Sequence, residues 1–151
     1  MSLFARHATK GTIEEVAHMV EHYFKGRGLD PRQQHIEVQD GSGWWLTEGS
    51  ARIYVFLQNA PGGPVLRVTS PLVYLPENHK QEFFHNLLKI NADLTSCALA
   101  ISDDAVIVVA QRHTAQLDQE ELEDLVWNVA YIADLLDDKL VTEYGAKPYR
   151  V

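Results

Sequence analysis

The stretch CALAISDDAVIVVAQ, residues 97–111, holds two apolar runs on either side of an aspartate pair. Aspartate is a common turn residue because its short side chain hydrogen-bonds the neighbouring backbone. A two-residue turn at Asp103 and Asp104 places Ser102 opposite Ala105 and joins the runs as antiparallel strands. The pairs beyond that point are Ile101 with Val106 and Leu99 with Val108. The stretch therefore predicts a β-hairpin whose register is set by its turn.

Both faces of this hairpin are apolar, although one core needs only one apolar face. Neighbouring strand residues alternate between the faces. One face carries Cys97, Leu99, Ile101, Val106, Val108 and Ala110. The other carries Ala98, Ala100, Ile107 and Val109. The sequence does not decide which face packs on the protein's own helices. The smaller residues of the second face permit close approach of another element, so we predict that this face packs on a second subunit or a client protein.

Three helices are predicted around the hairpin, each from an apolar stripe at helical spacing behind a capping pair. Their ranges are 13–25 with Thr12 and Glu15, 78–93 with Asn78 and Gln81, and 119–144 with Asp118 and Glu121. Between the first two helices the apolar period changes to two, which predicts an antiparallel meander over residues 35–76.

The element order predicts an α+β fold of two layers, an antiparallel sheet with three helices in the order α-β-meander-α-β-β-α. No repeat or linker divides the chain, so a single domain is expected over residues 1–151. Residues 1–11 and 145–151 are expected to be loosely ordered tails.

Four aromatic residues of the meander form a second candidate surface. In the strand ARIYVFLQN, Tyr54 and Phe56 face away from the helices if Ile53 faces toward them. Trp44 and Trp45 are neighbours in the preceding strand, so one of the two also points outward. Exposed aromatic clusters commonly mark contact surfaces. The alternative is that a terminal segment or another helix covers them.

Composition limits the class of protein. With 151 residues and 46% hydrophobic content, the chain is long enough to bury a core. The formal net charge is -8 and no cluster of Lys and Arg is present, which disfavours nucleic acid and favours a basic partner. No apolar run approaches the length of a membrane span or a secretory signal, and the single cysteine, Cys97, cannot form an internal disulfide. We therefore expect a cytoplasmic protein that binds neither nucleic acid nor membrane.

The segment HMVEH, residues 18–22, matches the H-x-x-E-H zinc pattern, in which two histidines bind the metal and the glutamate is the base. Spacing of four puts His18 and His22 on one helical face, but that face is the polar one, opposite the apolar stripe. No downstream motif supplies an obvious third ligand. The paired carboxylates 103–104 and 137–138 point in different directions, so neither pair forms an acid-base dyad. No catalytic residue, cofactor or metal site is predicted.

Three segments follow one another in a recognisable order: LRVTSPLVYLP, LLKINADLTSCALAISDDAVIVVAQRH and LDQEELEDLVWNVAYIADLL. This layout of strand, helix, hairpin and acidic-capped long helix resembles the YbjN-like, type III secretion chaperone-like superfamily. The resemblance implies a small, acidic, cytoplasmic α+β protein that is commonly homodimeric and has no catalytic residues to carry over. Secretion chaperones of that superfamily bind an extended client segment along hydrophobic grooves, and the YbjN-like branch is linked to regulation.

The leading hypothesis is a non-enzymatic protein-binding module, chaperone-like or regulatory, that acts as a homodimer. The first alternative is a small-ligand-binding or enzymatic domain with a pocket between sheet and helices, to which Asn91, Ser70 and Arg67 could contribute. A metal hydrolase at residues 18–22 is the least favoured alternative.

Overall fold

The fold is described for residues 10–150 of a computed structural model. Residues 1–9 and Val151, which are part of the tails predicted to be loosely ordered, lie outside this range. The described residues form three helices and six strands: α1 (Ile13–Gly26), β1 (His35–Val38), β2 (Gly41–Glu48), β3 (Ala51–Gln58), β4 (Val65–Tyr74), α2 (Lys80–Asp93), β5 (Ala98–Ser102), β6 (Ala105–His113) and α3 (Gln119–Tyr144).

The strands form a six-stranded antiparallel sheet in the order β1-β2-β3-β4-β6-β5. The first four strands are sequential neighbours, as a meander requires. The chain then passes through α2 and β5 before β6 returns beside β4. This arrangement makes β5 an edge strand and β6 an inner strand. The predicted α+β class, with three helices and an antiparallel sheet, is confirmed.

The predicted register of the hairpin is confirmed. Ser102 pairs with Ala105, and the ladder continues through Ile101 with Val106 and Leu99 with Val108. Asp103 opens the turn with a positive φ of 52°, a conformation that aspartate tolerates better than most residues.

Two of the predicted capping pairs form. The Thr12 hydroxyl accepts a hydrogen bond from the Glu15 N–H at the start of α1. At the start of α3, the Asp118 carboxylate accepts from the Glu121 N–H at 2.9 Å, and the Glu121 carboxylate accepts from the Asp118 N–H at 3.0 Å. This reciprocal pair is a complete capping box, and it fixes the start of α3 at the predicted residue.

The predicted start of α2 is wrong by two residues. The helix begins at Lys80, and His79 stands at its N-cap with φ 57° and no side-chain cap. A left-handed residue at this position interrupts the helical backbone, so the helix cannot include Asn78.

The chain divides into two compact units. Within the described residues the first unit comprises 10–46, 54–68 and 111–126, and the second comprises 47–53, 69–110 and 127–150. Each unit is assembled from three separate stretches, so no single cut of the chain yields either one. The expectation of one domain over residues 1–151 remains a prediction.

The first unit buries the apolar stripe of α1 and the inner residues of its strands. Its buried side chains include Val16, Val20, Phe24, Trp44, Leu46, Val55, Leu57, Leu66, Val68, Leu117 and Leu122. The segment before α1 is tied to the connection after β6, because the buried Thr114 hydroxyl donates a hydrogen bond to the Gly11 carbonyl at 2.7 Å. The Gln116 N–H donates to the Lys10 carbonyl beside it.

The second unit buries Phe83 and Leu87 of α2 with residues of the hairpin and α3. The Phe83 ring meets the ring of Tyr144 edge to face, with centroids 5.5 Å apart. Other buried members are Leu72, Val73, Leu99, Val106, Val108, Val129, Ala133, Leu136 and Leu140. None of the helices within residues 10–150 combines the length and the apolar content that crossing a membrane requires.

The C-terminal segment differs from the loose tail that the sequence predicts. The Tyr74 N–H donates to the Lys147 carbonyl at 2.8 Å, and the Tyr149 N–H donates to the Leu72 carbonyl at 3.1 Å. Pro148 forms a bridge with Val73, and Ala146 is buried. The breakers Gly and Pro in YGAKPYRV mark the end of α3 correctly, but they carry no information about the end of β4 that this segment joins.

Candidate functional site

Three half-buried aromatic residues of the first unit lie on one side of β2 and β3. The rings of Tyr54 and Phe56 stack with centroids 6.1 Å apart and planes 10° from parallel. A Cβ at Gly43 would lie 3.1 Å from the Phe56 ring, so Gly43 stands on the same face as Phe56. Trp45, two residues further along β2, shares that face. We call Trp45, Tyr54 and Phe56 the aromatic patch.

Trp44 lies on the opposite face of β2 and is buried, with 3% of its surface exposed. Its ring meets the ring of its strand partner His35 edge to face at 5.9 Å. Of the two neighbouring tryptophans, Trp45 is therefore the one that contributes to a surface.

A polar groove of about 500 Å³ lies in the same unit as the aromatic patch. It is lined by Gln39, Asp40, Gln58, Asn59, Ala60, Val65, Arg67 and Gln111. Gln58 shares the face of Phe56, because the two are two residues apart in β3. The Arg67 guanidinium donates to the Gln111 side-chain oxygen at 2.9 Å, and this bond holds the cation in the groove. Phe56 of the aromatic patch and Gln58 of the polar groove thus lie on the same face of β3.

The second unit contains the predicted hairpin interface, which we call the hairpin face. Ala98 is exposed, and Ala100 and Val109 are half-buried. Ile107 is only 8% exposed. Ala98 and Ala100 lie in the edge strand β5, whereas Ile107 lies in the inner strand β6 and has strands on both sides. The accessible part of the hairpin face is therefore Ala98, Ala100 and Val109.

The outer side of the edge strand β5 is bonded to Asn91 of α2. The Leu99 N–H donates to the Asn91 Oδ1 at 2.7 Å, and the Asn91 Nδ2 donates to the Leu99 carbonyl at 3.1 Å. The Leu99 backbone thus faces away from β6, as alternate residues of an antiparallel strand do. Both of its polar groups are satisfied by one side chain.

Replacing Asn91 with alanine is expected to lower the free energy of unfolding by about 1–3 kcal/mol, because two part-buried backbone groups lose their partner. Urea unfolding followed by fluorescence measures the loss. Asn86 is the matched control, since its amide donates only to the Glu82 carbonyl in an exposed turn of the same helix. Equal effects of Asn91→Ala and Asn86→Ala would contradict a special role for Asn91.

The residues considered for a small-ligand pocket do not converge. Arg67 lines the polar groove, Asn91 bonds β5, and Ser70 is fully buried with its hydroxyl lacking a hydrogen-bond partner. A larger cavity of about 690 Å³ in the second unit is lined by Tyr74, Leu75, Pro76, Glu77, Asn78, His79, Asp104, Tyr144, Gly145 and Lys147. These walls mix carboxylates and a lysine with loop residues, whereas small-ligand sites are mostly apolar.

The side chains that could bind a metal or take part in catalysis are dispersed over residues 10–150. The His18 side chain is 82% exposed, with its Nδ1 4.0 Å from Glu21. Among residues 10–150, no three His, Cys, Asp or Glu side chains are grouped to hold a metal ion. Partial burial raises the pKa of the Cys97 thiol, which disfavours the nucleophilic thiolate. Asp137 likewise has its pKa raised, by burial first and then by the nearby Asp138 and Asp134.

A further surface was missed by the sequence analysis. Trp127, Tyr131 and Leu135 of α3 are 62%, 52% and 55% exposed. The Trp127 and Tyr131 rings stack with centroids 5.1 Å apart and planes 6° from parallel. The spacing of four residues between these large apolar side chains is the sequence signal that could have found this stripe.

A family model described as "T3SS (YopN, CesT) and YbjN peptide-binding chaperone 1", TY-Chap1, matches residues 13–150. A comparison with curated proteins gives no match.

Several solved structures share the fold. A chain of the ExsC-ExsE complex superposes with a TM-score of 0.62 at 17% identity, covering 85% of this chain and 96% of that one. For the heterodimeric ExoU-SpcU complex from the type III secretion system of Pseudomonas aeruginosa, the TM-score is 0.55 at 15% identity, with 79% and 95% covered. For YbjN from E. coli it is 0.54 at 10% identity, with 89% and 96% covered. At these identities the likeness shows a shared fold, and it does not match individual residues between the chains.

Proposed function

Because the chain belongs to the TY-Chap1 family of T3SS and YbjN peptide-binding chaperones, we propose that it is a non-enzymatic module that binds a segment of a client protein. The client segment lies across the aromatic patch and directs its polar groups into the polar groove. Two of the structural relatives are complexes with a partner protein, ExsC-ExsE and ExoU-SpcU. Their architecture supports a binding role for this fold.

The observation that carries the proposal is the aromatic patch. Tryptophan and tyrosine supply large contact areas at low cost in conformational entropy, and they dominate binding energy at protein interfaces. Gly43 leaves room for the Phe56 ring on the strand surface. Asp40 and the formal net charge of -8 favour a client segment that combines apolar anchors with Lys or Arg.

The test is binding to a library of synthetic peptides, in which the best binders are expected to combine aromatic or aliphatic anchors with basic residues. The double substitution Tyr54→Ala with Phe56→Ala is expected to weaken these peptides by at least about tenfold, since the stacked pair supplies the central contact. Affinity is also expected to fall as salt rises, because exposed charge attraction is screened.

Tyr23→Ala is the matched control, because it removes an aromatic ring from α1 and leaves the strands unchanged. Thermal unfolding of each variant separates loss of binding from loss of fold. Undiminished peptide binding by a folded Tyr54→Ala and Phe56→Ala double variant would refute the placement of the site. Absence of any peptide binder to the wild type would refute the function.

We further propose that the protein acts as a homodimer through the hairpin face, whose small side chains allow close approach. Sedimentation velocity measures the association, and a strict monomer at every concentration tested would contradict it. A cytoplasmic location fits this proposal, because a free thiol such as Cys97 stays reduced there.

A further inference from the structure

The exposed side of α3 carries an apolar stripe, formed by Trp127, Tyr131 and Leu135, which we call the α3 stripe. Each of the three side chains exposes more than half of its surface. Consecutive members are four residues apart, so the stripe follows the helix for two turns, about 12 Å. Large apolar side chains exposed in a continuous line are uncommon on an isolated protein surface and typically mark a contact surface.

The two rings of the stripe contact each other. Trp127 and Tyr131 stack nearly parallel, with centroids 5.1 Å apart. The outer ring faces also present the negative side of their quadrupoles, which attracts a Lys or Arg side chain.

The charge around the stripe is acidic. Asp134 follows Tyr131 by three residues and Asp138 follows Leu135 by three, so both exposed carboxylates border the stripe. Between Trp127 and Tyr144 the helix carries four acidic residues and one basic residue, Lys139. Aromatic faces bordered by carboxylates form a surface that is complementary to cationic side chains on an apolar element.

This charge decides among the possible occupants. A second copy of α3 would bring together two helix surfaces that each carry four acidic residues and one basic residue between Trp127 and Tyr144, at a cost in electrostatic repulsion. An anionic membrane or a nucleic acid would be repelled for the same reason. A straight stripe of apolar residues two turns long matches the apolar face of another helix, which packs at about 8–10 Å between axes.

We propose that the α3 stripe binds a basic amphipathic helix of a partner protein. Apolar residues of that helix pack on Trp127, Tyr131 and Leu135, and its flanking Lys or Arg side chains contact Asp134 and Asp138. The α3 stripe and the aromatic patch are separate sets of residues, so this surface is additional to the proposed client site.

The experiment uses the full chain and three labelled helical peptides of about 18 residues, or five turns. The first peptide has a leucine face and a lysine face, the second replaces every lysine with glutamate, and the third scatters the residues of the first so that no apolar face forms. Fluorescence anisotropy measures binding. We expect the first peptide to bind at least about tenfold more tightly than the other two.

Substitutions on α3 locate the peptide. Trp127→Ala and Tyr131→Ala are each expected to weaken the first peptide by about tenfold. The pair Asp134→Asn and Asp138→Asn is expected to weaken it and to reduce the dependence of affinity on salt. Glu143→Gln is the matched control, since it removes an exposed carboxylate from the same helix outside the stripe.

Three other results would overturn the proposal. Equal binding of the first and third peptides would show charge attraction without an apolar contact. Loss of binding in the Tyr54→Ala and Phe56→Ala double variant, with Trp127→Ala unaffected, would assign the peptide to the aromatic patch. Dissociation of a wild-type dimer by Trp127→Ala would show that a second copy occupies the stripe.

Discussion

Replacing Gly11 with alanine is expected to lower the free energy of unfolding by at least about 3 kcal/mol, a large share of the stability of a typical domain. Gly11 has φ +91°, which side chains rarely adopt, and an added Cβ would overlap the Thr114 carbonyl oxygen. The atoms that the Cβ would meet belong to the backbone and not to a flexible side chain. Removing the overlap therefore requires movement of the segment before α1. That movement would break the bond from the Thr114 hydroxyl to the Gly11 carbonyl.

Urea unfolding of Gly11→Ala gives the loss, and Gly145→Ala provides the matched control. Gly145 also has a positive φ, +64°, but no atom lies within 4 Å of the position of its Cβ. The control therefore has the backbone cost without the overlap. Thr114→Val removes only the hydroxyl and is expected to cost about 1–3 kcal/mol. Equal stability of the two alanine variants would show that the close approach at Gly11 is unimportant.

The second large effect is expected from substitutions on the hairpin face. Ile107→Asp is expected to prevent folding, because it places an unpaired carboxylate at a site that is 8% exposed, at a cost of about 3–5 kcal/mol or more. Val109→Asp changes a half-buried residue of the same face and strand. We expect this variant to keep its fold and to lose the dimer.

Circular dichroism and sedimentation velocity separate the two outcomes. Val109→Thr is the control, because it retains the branched shape without a charge and should preserve the dimer. A folded Val109→Asp protein that still dimerises would exclude the hairpin face as the interface. Unfolding of Val109→Asp would instead show that this face belongs to the core.

Local chemistry made parts of the fold predictable. The Asp103–Asp104 turn fixed the hairpin register, because a two-residue connection leaves one pairing for Ser102 and Ala105. The start of α3 followed from the capping box of Asp118 and Glu121. In both cases the deciding residues are within four positions of each other along the chain.

Features that depend on distant neighbours were harder to predict. The burial of Ile107 depends on β6 lying between β4 and β5, which alternation within one strand does not reveal. The C-terminal segment looked loose because its partner, Val73 of β4, is far away in sequence. The left-handed conformation of His79 gave no usable sequence signal, because only a small share of non-glycine residues adopt a positive φ and the residue type alone does not identify them.

The candidate surfaces show the same division. Alternation correctly separated Tyr54 and Phe56 from Ile53, which is fully buried. Alternation does not say which of Trp44 and Trp45 faces outward; in the structure Trp44 is buried, with 3% of its surface exposed. Whether the aromatic patch and the hairpin face bind partners remains a prediction for the experiments above.

The carboxamide of Asn91 has a consequence for how this protein can recognise other chains. A side-chain amide has the same donor and acceptor as a peptide group, so at Leu99 it occupies the place that the backbone of a seventh strand would need. An edge strand without such a substitute is a template for extension of the sheet and for aggregation. Asn91 ends the sheet at this point. At Leu99, selection of a partner is therefore left to side chains, which distinguish one sequence from another, and is taken away from the backbone, which does not.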